Sequence, residues 1–266
     1  MMNAWGRRPF LGELCRSVFS WRFSLGVLLC CLIAIPAGWL DVQRRLLGMN
    51  DGVDAISMFA QFIGFSPIMT FLPTLCVLPS AINLCDDIRS GYFYHIVYRQ
   101  GRLAFVRTRL LTCAISGGAI VFFGLTLLFW VCCILFPMPV AGDPNVQVLY
   151  EISPFRSLLK GPGSMWIYML FQILMPSLFG MVWAVVGMTL AVIKADRYLV
   201  LGGPFLIVLS LFYLSSALRL NIMNPIKLAY PAENDQPILL LLNHALIFLF
   251  CWYIFQRGIA RRIAHG

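Results

Sequence analysis

From Leu110 to Phe136 the chain reads LLTCAISGGAIVFFGLTLLFWVCCILF, 27 residues without one charged side chain. About 20 helical residues cross the hydrocarbon core of a bilayer. Inside that core backbone polar groups find no water, and a helix satisfies them within the segment. Five more such runs lie near 23–40, 58–84, 165–192, 198–217 and 238–255. Together the six predict an all-α polytopic membrane protein. Composition agrees: 60% of residues are hydrophobic and 12% charged, with mean hydropathy +0.83. Soluble domains run near ~45–50% apolar and ~25% charged. The first run follows arginines, as a signal peptide does. No small-x-small cleavage site follows it, so it is expected to be retained as a span.

Charge sets the expected orientation. Arg7, Arg8, Arg16 and Arg22 precede span one, and Arg89, Arg99, Arg102, Arg107 and Arg109 follow span two. Lys194 and Arg197 follow span four, and Arg257, Arg261 and Arg262 follow span six. These are 14 of the 20 basic residues, all on one face. Basic loops stay in the cytoplasm. Both termini are therefore expected there, in a cell membrane, and the net charge of +9 calls for no nucleic-acid partner. The expected organisation is a cytoplasmic N-terminal segment over 1–22, a six-span domain over 23–255 with an inner loop at 86–109, and a basic tail over 256–266.

On a helix, Phe10, Leu11, Leu14, Cys15, Val18 and Trp21 share one face, with Glu13, Arg16 and Ser17 opposite. That pattern predicts an amphipathic helix lying in the headgroup layer. Pro67, Pro73 and Pro79 predict a bent second span, because each removes a helical hydrogen bond. The outer loops carry the turn-rich stretches FPMPVAGDP (136–144) and NPIKLAYPAENDQP (224–237), with room for short interfacial helices.

Catalytic signatures are missing. The nine cysteines form no CxxC pair and read as buried thiols. No GxSxG, HExxH or GxxxxGK[ST] motif occurs, and KGPGS (160–164) has its lysine and glycines in the wrong order for a phosphate loop. Span interiors lack ionisable relays of the kind a proton-coupled pump carries. His244, near the start of span six, reads as a packing or interfacial histidine. A membrane-embedded enzyme finds no cluster of catalytic groups here. Neither a catalytic residue, a cofactor site nor a metal site is expected in this chain.

Charge gathers instead in DDIRSGYFYHIVYRQGRLAFVRTRLL, residues 86–111. Asp86 or Asp87 is placed to cap a short helix, and Gly91 and Gly101 bracket YFYHIVYRQ. Ile88, Tyr92 and Ile96 are spaced four apart, as are Val106 and Leu110, with Leu103 one turn earlier. The spacing predicts a helix-turn-helix at the membrane surface, showing aromatic and cationic groups of the types enriched at protein interfaces. An arginine cluster that only fixes topology and touches anionic lipid is the plainer reading.

The stretch resembles the first cytoplasmic loop of ABC-2-type transporter permeases. Asp87, Gly91, Ile96 with Val97, Tyr98 with Arg99, Arg102 and Arg109 fall at that family's acidic, glycine, apolar, polar-basic and terminal basic places. Asp stands where Glu is usual, and the apolar patch is aromatic. The resemblance implies that the loop is a coupling helix docking on a separate ABC ATP-binding subunit, which holds the ATP and magnesium. The contact would be made by Asp87, Arg89, Gly91, Tyr92, Ile96, Tyr98, Arg99, Arg102 and Arg109. It also implies a second permease subunit, identical or related, and export of a hydrophobic or amphipathic substrate such as a peptide, lipid or drug. The competing expectation is an accessory or signalling membrane protein that uses the same loop to bind a regulator.

Overall fold

In the computed structural model, residues 4–48, 52–139, 144–151, 153–154, 164–220, 224–231 and 236–265 are described. Among them the regular structure is entirely helical. Helix α1 (Ala4–Val18) stops where Ser20 takes an extended conformation. The Ser20 hydroxyl donates to the Ser17 carbonyl at 2.7 Å and accepts from the Phe23 N–H, capping α2 (Trp21–Ala34). Pro36 then tightens the chain into a 3₁₀ turn, Ile35–Gly38, before α3 (Trp39–Leu46). The first span thus runs from Trp21 to Leu46, six residues past its expected end.

The expected second span, 58–84, is wrong in its first third. Helix α4 (Ala55–Gly64) is a separate buried helix of ten residues, too short to cross a bilayer. Asp54 starts it by accepting from the N–H groups of Ile56 and Ser57, both at 2.8 Å. The chain breaks before Pro67, and the span is instead α5 (Ile68–Val77) followed by α6 (Ala81–Arg89). The bend between these two halves is at Pro79, whose carbonyl accepts from the Asn83 amide at 2.9 Å.

Next come α7 (Tyr92–Gln100), α8 (Arg102–Leu135), α9 (Pro144–Glu151), α10 (Ser164–Ile193), α11 (Arg197–Ala217), α12 (Ile226–Ala229) and α13 (Pro237–His265). The long helices α8, α10, α11 and α13, with the α2–α3 and α5–α6 pairs, give six helices long and apolar enough to cross a membrane. The chain has the build of a multi-pass membrane protein. Short helices α9 and α12 fall in the loops where such helices were expected. The loop motif at 160–163 lies outside the described residues.

Small residues set the packing. Between lipid-bathed helices the backbones approach where side chains are missing. A Cβ on Gly117 of α8 would stand 2.4 Å from the Ala184 Cβ of α10, and one on Gly180 would stand 2.9 Å from the Cys76 sulfur of α5. On the other side of α8, a Cβ on Gly124 would meet Cys30 of α2 at 2.7 Å. So α8 is sandwiched between α2 and α10, and α10 is the centre of the bundle. In the α5–α6 and α10 spans, 72% and 67% of the apolar window is buried, against 22–28% for α2–α3, α11 and α13. The peripheral helices turn residues such as Leu28, Leu206, Leu246 and Phe250 outward.

The intramembrane polar groups mostly bond to backbone. Thr126, Ser177 and Thr189 donate to carbonyls four residues back, and Ser116 to the one three back. His244 is buried, with Nδ1 donating to the Leu240 carbonyl at 2.9 Å, the packing role expected of it. Cysteines 30, 76, 85, 113, 132 and 251 are buried free thiols, and Cys15 is exposed.

Candidate functional site

Helix α7 is framed by two backbone breaks. Gly91 and Gly101 have φ of +74° and +81°, the region that favours glycine. A Cβ at either would touch nothing within 4 Å, so the backbone conformation alone demands glycine there. Between them nine residues make a short helix with two unlike faces. Phe93 and Val97, one turn apart, are buried. Phe93 meets Phe105 of α8 edge-on at 5.4 Å, and the Tyr94 hydroxyl donates to the Arg262 carbonyl of α13 at 3.4 Å. The opposite face exposes Tyr92, His95, Tyr98 and Arg99, with Tyr98 77% exposed.

This differs from the expected stripe. Of Ile88, Tyr92 and Ile96, only Ile88 and Ile96 are half-buried, and Tyr92 is exposed. Gly91 restarts the helix, so Ile88 belongs to α6 and sets no phase for α7. Leu103 is likewise exposed, while Val106 and Leu110 are buried. The second helix of the expected helix-turn-helix is not separate: it is the first turns of the 34-residue α8.

Beneath α7 lies a network of ion pairs. Asp86 and Asp87 end α6 rather than cap α7, whose N-cap Gly91 supplies no side chain. Asp87 and Arg109 are each 4% exposed and pair directly. Arg109 also donates to Glu13 of α1 at 2.8 Å, and its guanidinium lies 5.4 Å from the centre of the Phe105 ring. Arg16 comes within 3.6 Å of Asp87. Asp86 accepts from Arg197 at the start of α11 at 2.6 Å and lies 3.7 Å from Arg22, which donates to Asn83 at 2.7 Å. Two adjacent carboxylates therefore tie together α1, α2, α6, α8 and α11.

Burial makes the parts unequal. Removing one member of a buried pair leaves an uncompensated charge and costs ~3–5 kcal/mol, whereas an exposed pair is worth ~0–1 kcal/mol. The Asp87–Arg109 pair is the first kind and Asp86–Arg197 the second. Sequence reasoning marked Asp87 and Arg109 as outward contacts, but both point inward and hold α6 to α8. Arg89, Tyr92, Tyr98, Arg99 and Arg102 are exposed, Gly91 and Ile96 partly so.

The missed participants were Glu13, Arg16, Arg22, Asn83, Asp86 and Arg197. A usable signal was scarcity: the arginine-rich face holds only four acids, Glu13, Asp86, Asp87 and Asp196. Two of them adjoin at the end of a span, where a carboxylate needs partners. The amphipathic segment shows the same logic. Helix α1 turns Glu13 and Ser17 toward the protein and leaves Leu11 exposed, with Phe19 and Trp21 exposed just beyond it. Arg16 of the polar side stays exposed, and Val18 of the apolar side packs against the core, so the protein-facing side mixes both.

Every acid of this network already faces an arginine, an arrangement suited to holding helices rather than making or breaking bonds. Among the described residues no group of His, Cys, Asp and Glu has the geometry to hold a metal. No family model, curated protein or solved structure matches the chain.

Proposed function

We propose that the chain is the membrane-spanning subunit of an ABC-type exporter, driven by ATP hydrolysed on a separate subunit. The arginine-rich end, with both termini, faces the cytoplasm. The outer face of α7 receives the ATP-binding subunit through Tyr92, His95, Tyr98 and Arg99, flanked by Arg89 and Arg102. A second permease subunit completes the transport path. The supporting observation is the double seating of α7: recognition-type side chains point away from the bundle, while Phe93 and Val97 anchor it on α8. A push on such a helix moves α8 directly through the Phe93–Phe105 contact.

The spans support one substrate class over another. The hydroxyls of Ser116, Thr126, Ser177 and Thr189 bond to backbone carbonyls, so none of the four offers a polar track for a small charged solute. A hydrophobic or amphipathic cargo, a peptide, lipid or drug, suits these walls.

The test is charge reversal. Arg99→Glu with Arg102→Glu is expected to insert and fold normally, to lose its copurifying ATPase, and to stop export. Undiminished export together with an unchanged pull-down would overturn docking through α7. A regulator in place of an ATPase in the wild-type pull-down would favour the signalling reading.

A further inference from the structure

One groove at the arginine-rich end takes no part in the α7 surface. It measures about 390 Å³ and is lined by Val192 and Ile193 of α10 and by Tyr253, Ile254, Arg257, Gly258, Arg261 and Arg262 of α13. Gly258 creates it: a Cβ there would stand 2.4 Å from Val192, so the two helices touch backbone to side chain and leave a furrow beside the contact. Arg262 closes one end, its Nε donating to the Val192 carbonyl at 2.7 Å and so satisfying the C-terminus of α10.

The other two arginines have no such occupation. Arg257 and Arg261 are exposed, one turn apart, and neither meets an acid among the described residues. The guanidinium of Arg257 lies 4.7 Å from the centre of the Tyr253 ring, which holds it in place. Below them the wall is apolar, with Ile193 exposed beside half-buried Ile254.

Depth identifies the occupant. The charge-free stretch of α13 ends at Gln256, and Arg257 is the first cation after it. Tyrosine and arginine at that boundary sit at headgroup level. Basic pockets between membrane helices at this level suit anionic lipid headgroups, each cation contributing roughly fivefold in partition. We propose that this groove binds an acidic phospholipid, with its phosphate between Arg257 and Arg261 and an acyl chain along Ile193 and Ile254. The lipid would link the ends of α10 and α13 next to the Tyr94–Arg262 contact that holds α7.

The experiment is native mass spectrometry of the full chain in neutral detergent with equimolar phosphatidylglycerol and phosphatidylcholine. Wild type is expected to retain phosphatidylglycerol preferentially. Arg257→Gln with Arg261→Gln should weaken that retention roughly tenfold or more, with thermal unfolding unchanged in neutral micelles. Arg257→Lys with Arg261→Lys should keep the preference. So should Arg99→Gln with Arg102→Gln, which removes equal charge elsewhere. Arg261→Gln alone, at an exposed side chain, should lose less in the same direction and serves if the double variant does not fold. The proposal is overturned by a preference that survives in the double variant, or by an equal loss in the Arg99/Arg102 control. Displacement by millimolar inorganic phosphate would reassign the groove to a free anion. Loss of a copurifying protein with lipid retention intact would reassign it to protein docking.

Discussion

Arg109 is buried with its guanidinium divided between Glu13 and Asp87. Arg99, on the same end of the molecule, is exposed and meets no acid among the described residues. The first kind of arginine belongs to the architecture. Arg16, Arg22 and Arg197 join it, and each reaches a carboxylate from a different helix. The second kind, with Arg102, Arg257 and Arg261, is exposed and meets no acid among the described residues. A count of basic residues treats the two alike, and the expected orientation rests on that count alone. Pairing separates the arginines that hold the bundle from those proposed to meet a partner or the bilayer surface.

The widest gap should open at Arg109. Arg109→Ala leaves the Asp87 carboxylate buried with only Arg16 nearby, and is expected to cost ~3–5 kcal/mol. Thermal unfolding in detergent, followed by circular dichroism, measures it. Asp87→Leu combined with Arg109→Leu removes both charges together and should recover most of that loss. A double variant as unstable as the single would show that the pair's geometry matters more than its charge.

Gly101 tests whether the exposed set depends on a rigid mount. Its φ of +81° and ψ of +147° lie where side-chain-bearing residues are strained. Gly101→Ala should cost ~1–3 kcal/mol. The loss should be local: faster hydrogen exchange over α7 with the six spans still protected. Uniform deprotection of the spans would mean that α7 is part of the bundle's stability rather than a surface mounted on it.

Six spans were legible because hydrocarbon imposes length and polarity on each. The break at Pro67 was read as a bend within one span, because apolar stretches on both sides of it join into a single long run. Gly91 and Gly101 announced α7, yet the stripe through Ile88, Tyr92 and Ile96 failed at Tyr92, which is exposed, since it was phased across a glycine that restarts the helix. The network was out of reach for a different reason. Arg109 meets Glu13 across 96 positions and Arg197 meets Asp86 across 111, so only the fold brings them together. Spacing rules see one helix at a time.

A smaller effect is expected at Arg197. Its pair with Asp86 is half-exposed and shares that carboxylate with Arg22. Arg197→Ala should therefore change stability by ~0–1 kcal/mol, and less at high salt. A loss comparable to that of Arg109→Ala would erase the distinction between buried and exposed members of the network.

The smallest stability effect belongs to Arg99 and Arg102, and there the comparison is sharpest. Neither side chain buries a charge, fills the core or caps a helix, so Arg99→Gln with Arg102→Gln should alter stability by less than about 0.5 kcal/mol. Yet if α7 is where an ATP-binding subunit docks, the same change should lower ATPase copurification and export together. Arg109→Ala should also lower export, but in proportion to the folded protein lost. Normalising transport to folded protein separates the two: it should restore the Arg109 variant toward wild type and leave the Arg99/Arg102 variant defective. If normalised export is equal in both, the exposed arginines are no more functional than the buried ones, and pairing does not mark which end of this chain meets its motor.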